Sequence, residues 1–165
     1  MLRSIVRAIR TKKALEVVYQ SFSSPEPTAR WIAPHGLAFD GFRWHARAWC
    51  YKNSSFIDLV LARFISIGSS RAAEIDGSVD RQWNEIVVVK LAPHPDLPDA
   101  HKRAIELDYG MERNGFIAVP MRIALYYYFE RQLCLDIDAP PARKQVVVTN
   151  PEEVQAAISG QSDST

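Results

Sequence analysis

The chain has 165 residues, 47% hydrophobic and 24% charged, a balance that excludes intrinsic disorder and suits one ordinary domain or two small ones. No run of about 18 apolar residues is present to form a membrane-spanning helix, and Cys50 and Cys134, which form no C-x-x-C, read as reduced core thiols. The net charge of +1 hides a division: residues 1–73 hold 11 Lys+Arg against 4 Asp+Glu, a net of +7, and residues 74–165 hold 9 against 15, a net of −6.

Such an asymmetry fits an anion-binding module joined to something else, or a chance difference between two solvated surfaces. The polar stretch "SSRAAEIDGSVDRQ" (69–82), with Asp76-Gly77, marks the expected boundary. Leu2, Ile5, Val6 and Ile9 recur at helical spacing, so 1–13 reads as an amphipathic helix and linker. Arg3, Arg7, Arg10, Lys12 and Lys13 interrupt that segment, unlike the apolar centre of a signal peptide, which favours a cytoplasmic protein. Next come short β-type runs: "LEVVYQSF" (15–22), "RWIAP" (30–34), "HGLAFDGFRWHARAWCY" (35–51) and "SSFIDLVLARFISIG" (54–68). Four or five strands in so few residues suggest a small barrel or a strongly bent sheet over 14–73.

The remainder alternates strand and helix, as a small α/β unit does. Strands are expected at 84–93, 115–123 and 144–149. Helices are expected at 96–110, with Asp96 as N-cap, at 124–136, and from Asn150 as N-cap with Pro151 at N1. The tail 159–165 reads as frayed.

The segment around Asp40-Gly41 carries the chemistry. Asp-Gly between strand-like runs is a strong signal for a two-residue turn. That register sets Phe39 against Phe42, Ala38 against Arg43, Gly36 against His45 and Pro34 against Arg47. Alternation then sends Phe42, Trp44, Ala46, Ala48 and Cys50 to the core and Arg43, His45, Arg47 and Trp49 to the other face. The second set is a cationic comb beside small residues with no carboxylate on the partner strand. It is either an anion site or a solvated cationic face. Arg30 and Arg63 could converge on it, with hydroxyls from Tyr19 and Ser21; the alternative for Arg63 is an ion pair with Asp58. His94 and His101 lack metal-ligand spacing. No glycine-rich phosphate loop, nucleophile elbow or H-E-x-x-H motif is present, so neither an enzyme nor a metal or other cofactor is expected.

These runs carry a resemblance. "ALEVVYQSF", "RWIAPHGLAFDGFRWHARAWC" and "FIDLVLARFISI" resemble the WYL domain of bacterial transcription regulators, with Trp44-His45-Ala46 at the name-giving Trp-Tyr-Leu stretch. The R-W-H-x-R-A form is similar to that of regulators of anti-phage defence operons such as BREX and CBASS. "VKLAPHPDLPDAHKRAIELDYGM" resembles the C-terminal extension that follows the WYL domain in that subgroup, over 84–158.

The resemblance implies an α+β chain: a small Sm/SH3-like β-barrel, then a compact α/β extension. It also implies that Tyr19, Ser21, Arg30, His35, His45, Arg47 and Arg63 line a pocket for a nucleotide or short nucleic-acid ligand. Arg43 joins them only through the comb. The register above puts His35 on the face opposite His45, so pocket lining by both requires a bulge or strong curvature. These regulators begin with a winged helix-turn-helix that reads operator DNA, and no such segment precedes residue 1. The expectation is therefore a ligand-sensing module, homodimeric, acting on operator DNA only through an absent domain. The alternative is a stand-alone accessory protein that binds single-stranded nucleic acid.

Overall fold

The computed structural model describes residues 1–111 and 114–160. It divides after Asp80 into two compact units.

The first unit opens with helix α1 (Leu2–Arg10), whose Ile5 and Ala8 are buried while its arginines face outward. Five antiparallel strands follow: β1 (Lys13–Tyr19), β2 (Thr28–Phe39), β3 (Trp44–Cys50), β4 (Ser55–Val60) and β5 (Phe64–Ala72). They form one sheet in the order β4-β3-β2-β1-β5. The inner face carries Leu15, Val17 and Tyr19 of β1, Ile32 of β2, Ala46 and Ala48 of β3, Leu59 of β4 and Phe64 of β5, packed with Ile5 and Ala8. Ile5 is fully buried, so truncating it to alanine would cost about 2–5 kcal/mol. The strand-like runs are thus sheet, but the expected barrel closure is absent. Among the described residues β4 and β5 are the two edges and share no ladder. The Tyr19 hydroxyl instead spans from β1, accepting the Val60 N–H at the end of β4 (3.1 Å).

The second unit contains α2 (Arg81–Asn84), β6 (Ile86–Pro93), α3 (Asp99–Asp108), β7 (Ile117–Arg122), α4 (Ile123–Gln132), β8 (Val146–Val148) and α5 (Pro151–Ser159). Its sheet, ordered β7-β6-β8, is antiparallel throughout, so this unit is α+β and not the alternating α/β unit expected. Val87, Val89 and Leu91 of β6 pack with Ile105, Ile123, Tyr126, Val146 and Val154. On the opposite face of β6, Ile86 and Val88 are exposed.

One of the two expected helix caps differs. Helix α3 starts at Asp99 behind Pro98, not at Asp96, whose N–H points to His94 Nδ1 (3.2 Å). Asn150 stands at the N-cap of α5, but its amide does a strand's work. It accepts the Lys90 N–H (2.9 Å) and donates to Val88 O (2.9 Å), filling ladder positions beside β6. The frayed tail expected over 159–165 lies, from residue 161, outside the described residues.

Candidate functional site

The β2–β3 connection positions the site. Its turn is longer than Asp-Gly alone suggests: Phe39 pairs with Trp44, and four residues, Asp40–Arg43, make the loop. The Asp40 carboxylate explains the length. One oxygen accepts the N–H groups of Phe42 (2.8 Å) and Arg43 (2.5 Å), while the Asp40 N–H donates to Arg43 O (3.1 Å). The register is therefore shifted by two from the expected one, and a shift of two keeps every side chain on its face. His45 lies opposite Ala38 and Arg47 opposite Gly36. The small partner residues remain, each displaced by one pleat.

Alternation along β3 holds for Ala46, Ala48 and Cys50, which are buried in the core, but fails at the tip. Phe42 and Trp44 were expected in the core and are 87% and 49% exposed, because the hairpin runs beyond the inner layer before they occur. Arg43 lies in the turn and not in the strand, its Nε 3.5 Å from Asp40 Oδ2.

The β2–β3 ladder shifts by one residue at His35, between Pro34 and Gly36. Pro34 has no N–H to give to a ladder, and glycine tolerates the local kink, so this is a natural place for a bulge. The bulge swings His35 onto the side of Arg47. His35 Nε2 is 3.0 Å from Asp80 Oδ2, and Arg47 Nε is 2.7 Å from the same oxygen. Arg47 also donates through Nη2 to Asp80 Oδ1 (3.1 Å), completing a forked pair, and through Nη1 to Asp58 Oδ1 (3.4 Å). Beside this group, His45 Nε2 lies 2.7 Å from Asp40 Oδ2. Phe56 forms an apolar wall, edge-on to His35 (5.2 Å) and Trp49 (5.1 Å).

His45 and Arg47 of the comb are thus buried and paired, with carboxylates supplied by Asp40, Asp58 and Asp80, while Arg43 stays partly exposed beside Asp40. Side-chain exposure is only 3% for His45, 6% for Arg47 and 2% for Asp80. Strand β2 offers no carboxylate opposite Arg47 or His45, as expected. The other neighbour, β4, sets Asp58 directly opposite Arg47, so Asp58 is the partner of Arg47 and not the one considered for Arg63. Asp80 comes from the segment after β5, which sequence periodicity could not connect to β3. Burial disfavours the Arg47 charge, yet Asp80 and Asp58 outweigh it and hold its pKa above the ordinary guanidinium value. Burial dominates at His35 and pushes its pKa below the usual histidine value despite Asp80. Burial would raise the Asp40 pKa, but the Arg43 and Phe42 N–H groups and His45 hold it well below the usual carboxylate range.

The structure brings His35, His45 and Arg47 together, with Arg43 at the rim. It places the other expected site residues elsewhere. Tyr19 is a core residue edge-on to Phe64 (5.2 Å). Arg30 pairs across the ladder with Val17, on the inner face. Its guanidinium sits over the Tyr19 ring (5.4 Å) and bonds Thr28 Oγ1 (2.5 Å), leaving its buried Nε without a partner. Ser21 lies past the end of β1 and bonds Ser23 Oγ (2.9 Å). Arg63, in a single 3-10 turn at Leu61–Arg63, stacks on the exposed Phe22 ring (4.2 Å). Among the described residues no group of three or more His, Cys, Asp or Glu is arranged to hold a metal ion, and no helix is long and apolar enough to cross a membrane.

Comparison with known proteins agrees with this two-part architecture. Residues 1–68 match the WYL domain, and residues 86–154 match the C-terminal dimerization domain of the BrxR transcriptional regulator. The chain belongs to the WYL-domain proteins that carry a BrxR-type C-terminal dimerization domain. Its relatives include the DNA-binding transcriptional repressor CapW of Stenotrophomonas maltophilia, 41% identical over 92% of this chain and 52% of the relative. The CapW of Pseudomonas aeruginosa is 39% identical over 93% of this chain and 52% of the relative. The chain therefore spans about half the length of the curated relatives it matches. Among solved structures, proteasome accessory factor B/C of Arthrobacter aurescens aligns over 99% of this chain and 27% of its own, with 22% identity and a TM-score of 0.41.

Proposed function

We propose that this chain is the ligand-sensing and dimerising part of a WYL-type transcription regulator. On this reading it is non-enzymatic and cytoplasmic, serves an anti-phage defence operon, and controls an attached DNA-binding domain. The ligand is a nucleotide or short oligonucleotide, recognised through phosphate on the outer face of β3. The carrying observation is the Arg47 fork, held in a buried polar cluster opposite Gly36 with His35 on the same oxygen of Asp80. A planar, permanently charged fork beside a histidine and small neighbours is suited to a tetrahedral oxyanion. The role of the CapW relatives as DNA-binding transcriptional repressors supports the regulatory part of the reading.

The test is fluorescence anisotropy with short 5′-phosphorylated single-stranded DNA, using the wild type and Arg47→Ala. Loss of the fork is expected to weaken binding at least about tenfold. Equal binding by both proteins, or binding by neither, refutes the assignment.

A second reading has one observation of its own. Phe22, 90% exposed beneath Arg63, offers a ring on which a base could stack, as on a single-strand-binding surface. That reading expects affinity to rise with strand length, whereas a pocket saturates after a few nucleotides.

For dimerisation, the exposed Ile86 and Val88 on β6, with Pro120 opposite Val88 on β7, form the apolar strip we assign to the partner copy.

A further inference from the structure

Between β5 and the second unit, Ala73–Asp80 lies along the first unit as a strap, held in part through polar atoms. The Ala73 N–H donates to Lys12 O (3.2 Å), and the Glu74 N–H donates to the Tyr51 hydroxyl (3.0 Å). Lys12 Nζ meets Asp76 Oδ2 at 2.8 Å, in an exposed pair. The Asp76 carboxylate in turn accepts the Ser78 N–H (2.9 Å), starting a single 3-10 turn at Gly77–Val79.

Asp80 alone in this strap is buried; Glu74, Asp76, Ser78 and Val79 are exposed. Gly77 passes directly over His35: a Cβ there would stand 2.4 Å from His35 Cγ, so no other residue fits with the strap seated. The apolar side chains of the strap do little to hold it down, since Val79 is exposed and Ile75 is only partly covered, the condition for local opening at low cost.

We propose that this strap is a displaceable internal competitor: in the free protein the Asp80 carboxylate occupies the place on Arg47 and His35 that a phosphate of the ligand takes in the complex. The inference rests on the function proposed above and adds how that site is regulated. The chemistry of exchange is balanced. Carboxylate and phosphate oxygens accept from the same two guanidinium donors, so Arg47 passes from one anion to another without being left buried and unpaired. Asp58 stays on Nη1 throughout. Because Arg81 follows Asp80 directly, release of the strap acts on the peptide link that leads into the second unit. That gives ligand occupancy a covalent route to the dimerization domain.

Competition of this kind lowers apparent affinity by the fraction of molecules whose strap is open. Removing the clasp should therefore tighten binding. Asp80→Asn removes the charged clasp, but it also makes the site more positive and would favour any anion. Gly77→Ala leaves the charge unchanged and lifts the strap by collision with His35, so it isolates the proposed effect.

The experiment measures binding of a short 5′-phosphorylated single-stranded DNA by anisotropy, together with amide hydrogen exchange across 73–80. Wild type, Gly77→Ala, Asp80→Asn and Arg47→Ala are compared after thermal melting has shown each to be folded. The expected result is tightening of about tenfold in Gly77→Ala and Asp80→Asn, with exchange at 75–80 accelerated by the probe in wild type and already fast in both variants. If the wild type binds in an Arg47-dependent way while Gly77→Ala binds equally and 75–80 stays protected, the strap is not a competitor and the proposed function stands. If none of the proteins with Arg47 intact binds the probe, both fail together.

Discussion

Replacing Arg47 by alanine removes the cation from a cluster in which Asp80 is 2% exposed and Asp58 is 18% exposed. Leaving the buried Asp80 carboxylate without its guanidinium costs about 3–5 kcal/mol, the lower end being favoured because His35 stays at 3.0 Å. Asp80→Ala is milder, because Asp58 still faces Arg47 at 3.4 Å; about 2–3 kcal/mol is expected. The double variant leaves neither charge stranded on the other. It should therefore lose less than the sum of the single losses, with a coupling of about 2 kcal/mol. Equilibrium urea unfolding reads these values. With a slope of about 2 kcal/mol per molar, Arg47→Ala should lower the midpoint by about 2 M. Tryptophan fluorescence suits the assay, since Trp31, Trp44 and Trp49 all lie in the first unit. Single losses that add to the double within about 0.5 kcal/mol would show that Arg47 and Asp80 act independently, and the clustered site would be wrong.

Two further outcomes follow from other parts of the structure. His35 has its pKa lowered in the folded state from an ordinary value of 6.5, so the unfolded chain takes up a proton first on acidification. Stability is then full above that value and falls as pH drops through it. Urea midpoints across this range should lose part of their slope in His35→Gln, and an unchanged slope refutes the burial argument. In the second unit, Val88→Glu places a charge on the exposed strip of β6. Sedimentation velocity should show the wild type as a dimer and the variant shifted to monomer with unchanged melting; a variant that remains dimeric moves the interface elsewhere.

Much of the local structure was legible because its causes are local. The spacing of Leu2, Ile5, Val6 and Ile9 is the helix α1, and strict alternation along β3 separated Ala46 and Ala48 from His45 and Arg47 without knowledge of any partner. The turn length was not legible, because it depends on whether the Asp40 carboxylate bonds forward to Phe42 and Arg43. The bulge left a trace, since Pro34 and Gly36 flank His35 and neither is at home in a regular ladder. The antiparallel sheet of the second unit was missed because alternating helices and strands do not fix strand direction. Asp80 left no periodic signal. Its place in the site depends on a contact with Arg47 from 33 positions downstream; the stretch 69–82 read as the boundary does contain the division after Asp80, but nothing in it announced that Gly77 passes over His35.

Moving the division from residue 73 to Asp80 changes the meaning of the charge asymmetry. The first unit then holds 11 Lys+Arg and 7 Asp+Glu, a net of +4, because Glu74, Asp76 and Asp80 belong to it. Two of those three acids pair with cations from β5 and β3, Glu74 with Arg71 and Asp80 with Arg47, and Asp76 pairs with Lys12 beside β1. A basic unit that carries three of its seven acids on one short segment has a property that a bare comb lacks. At Arg47, stability and ligand affinity must fall together, since the same guanidinium serves both. At Asp80 they must move in opposite directions: the carboxylate that holds the strap down is the one the ligand has to displace, so Asp80→Asn weakens the fold and strengthens binding. Measured on one set of variants, those opposed signs separate a site held ready by its own carboxylate from an ion pair that is there only to hold the sheet.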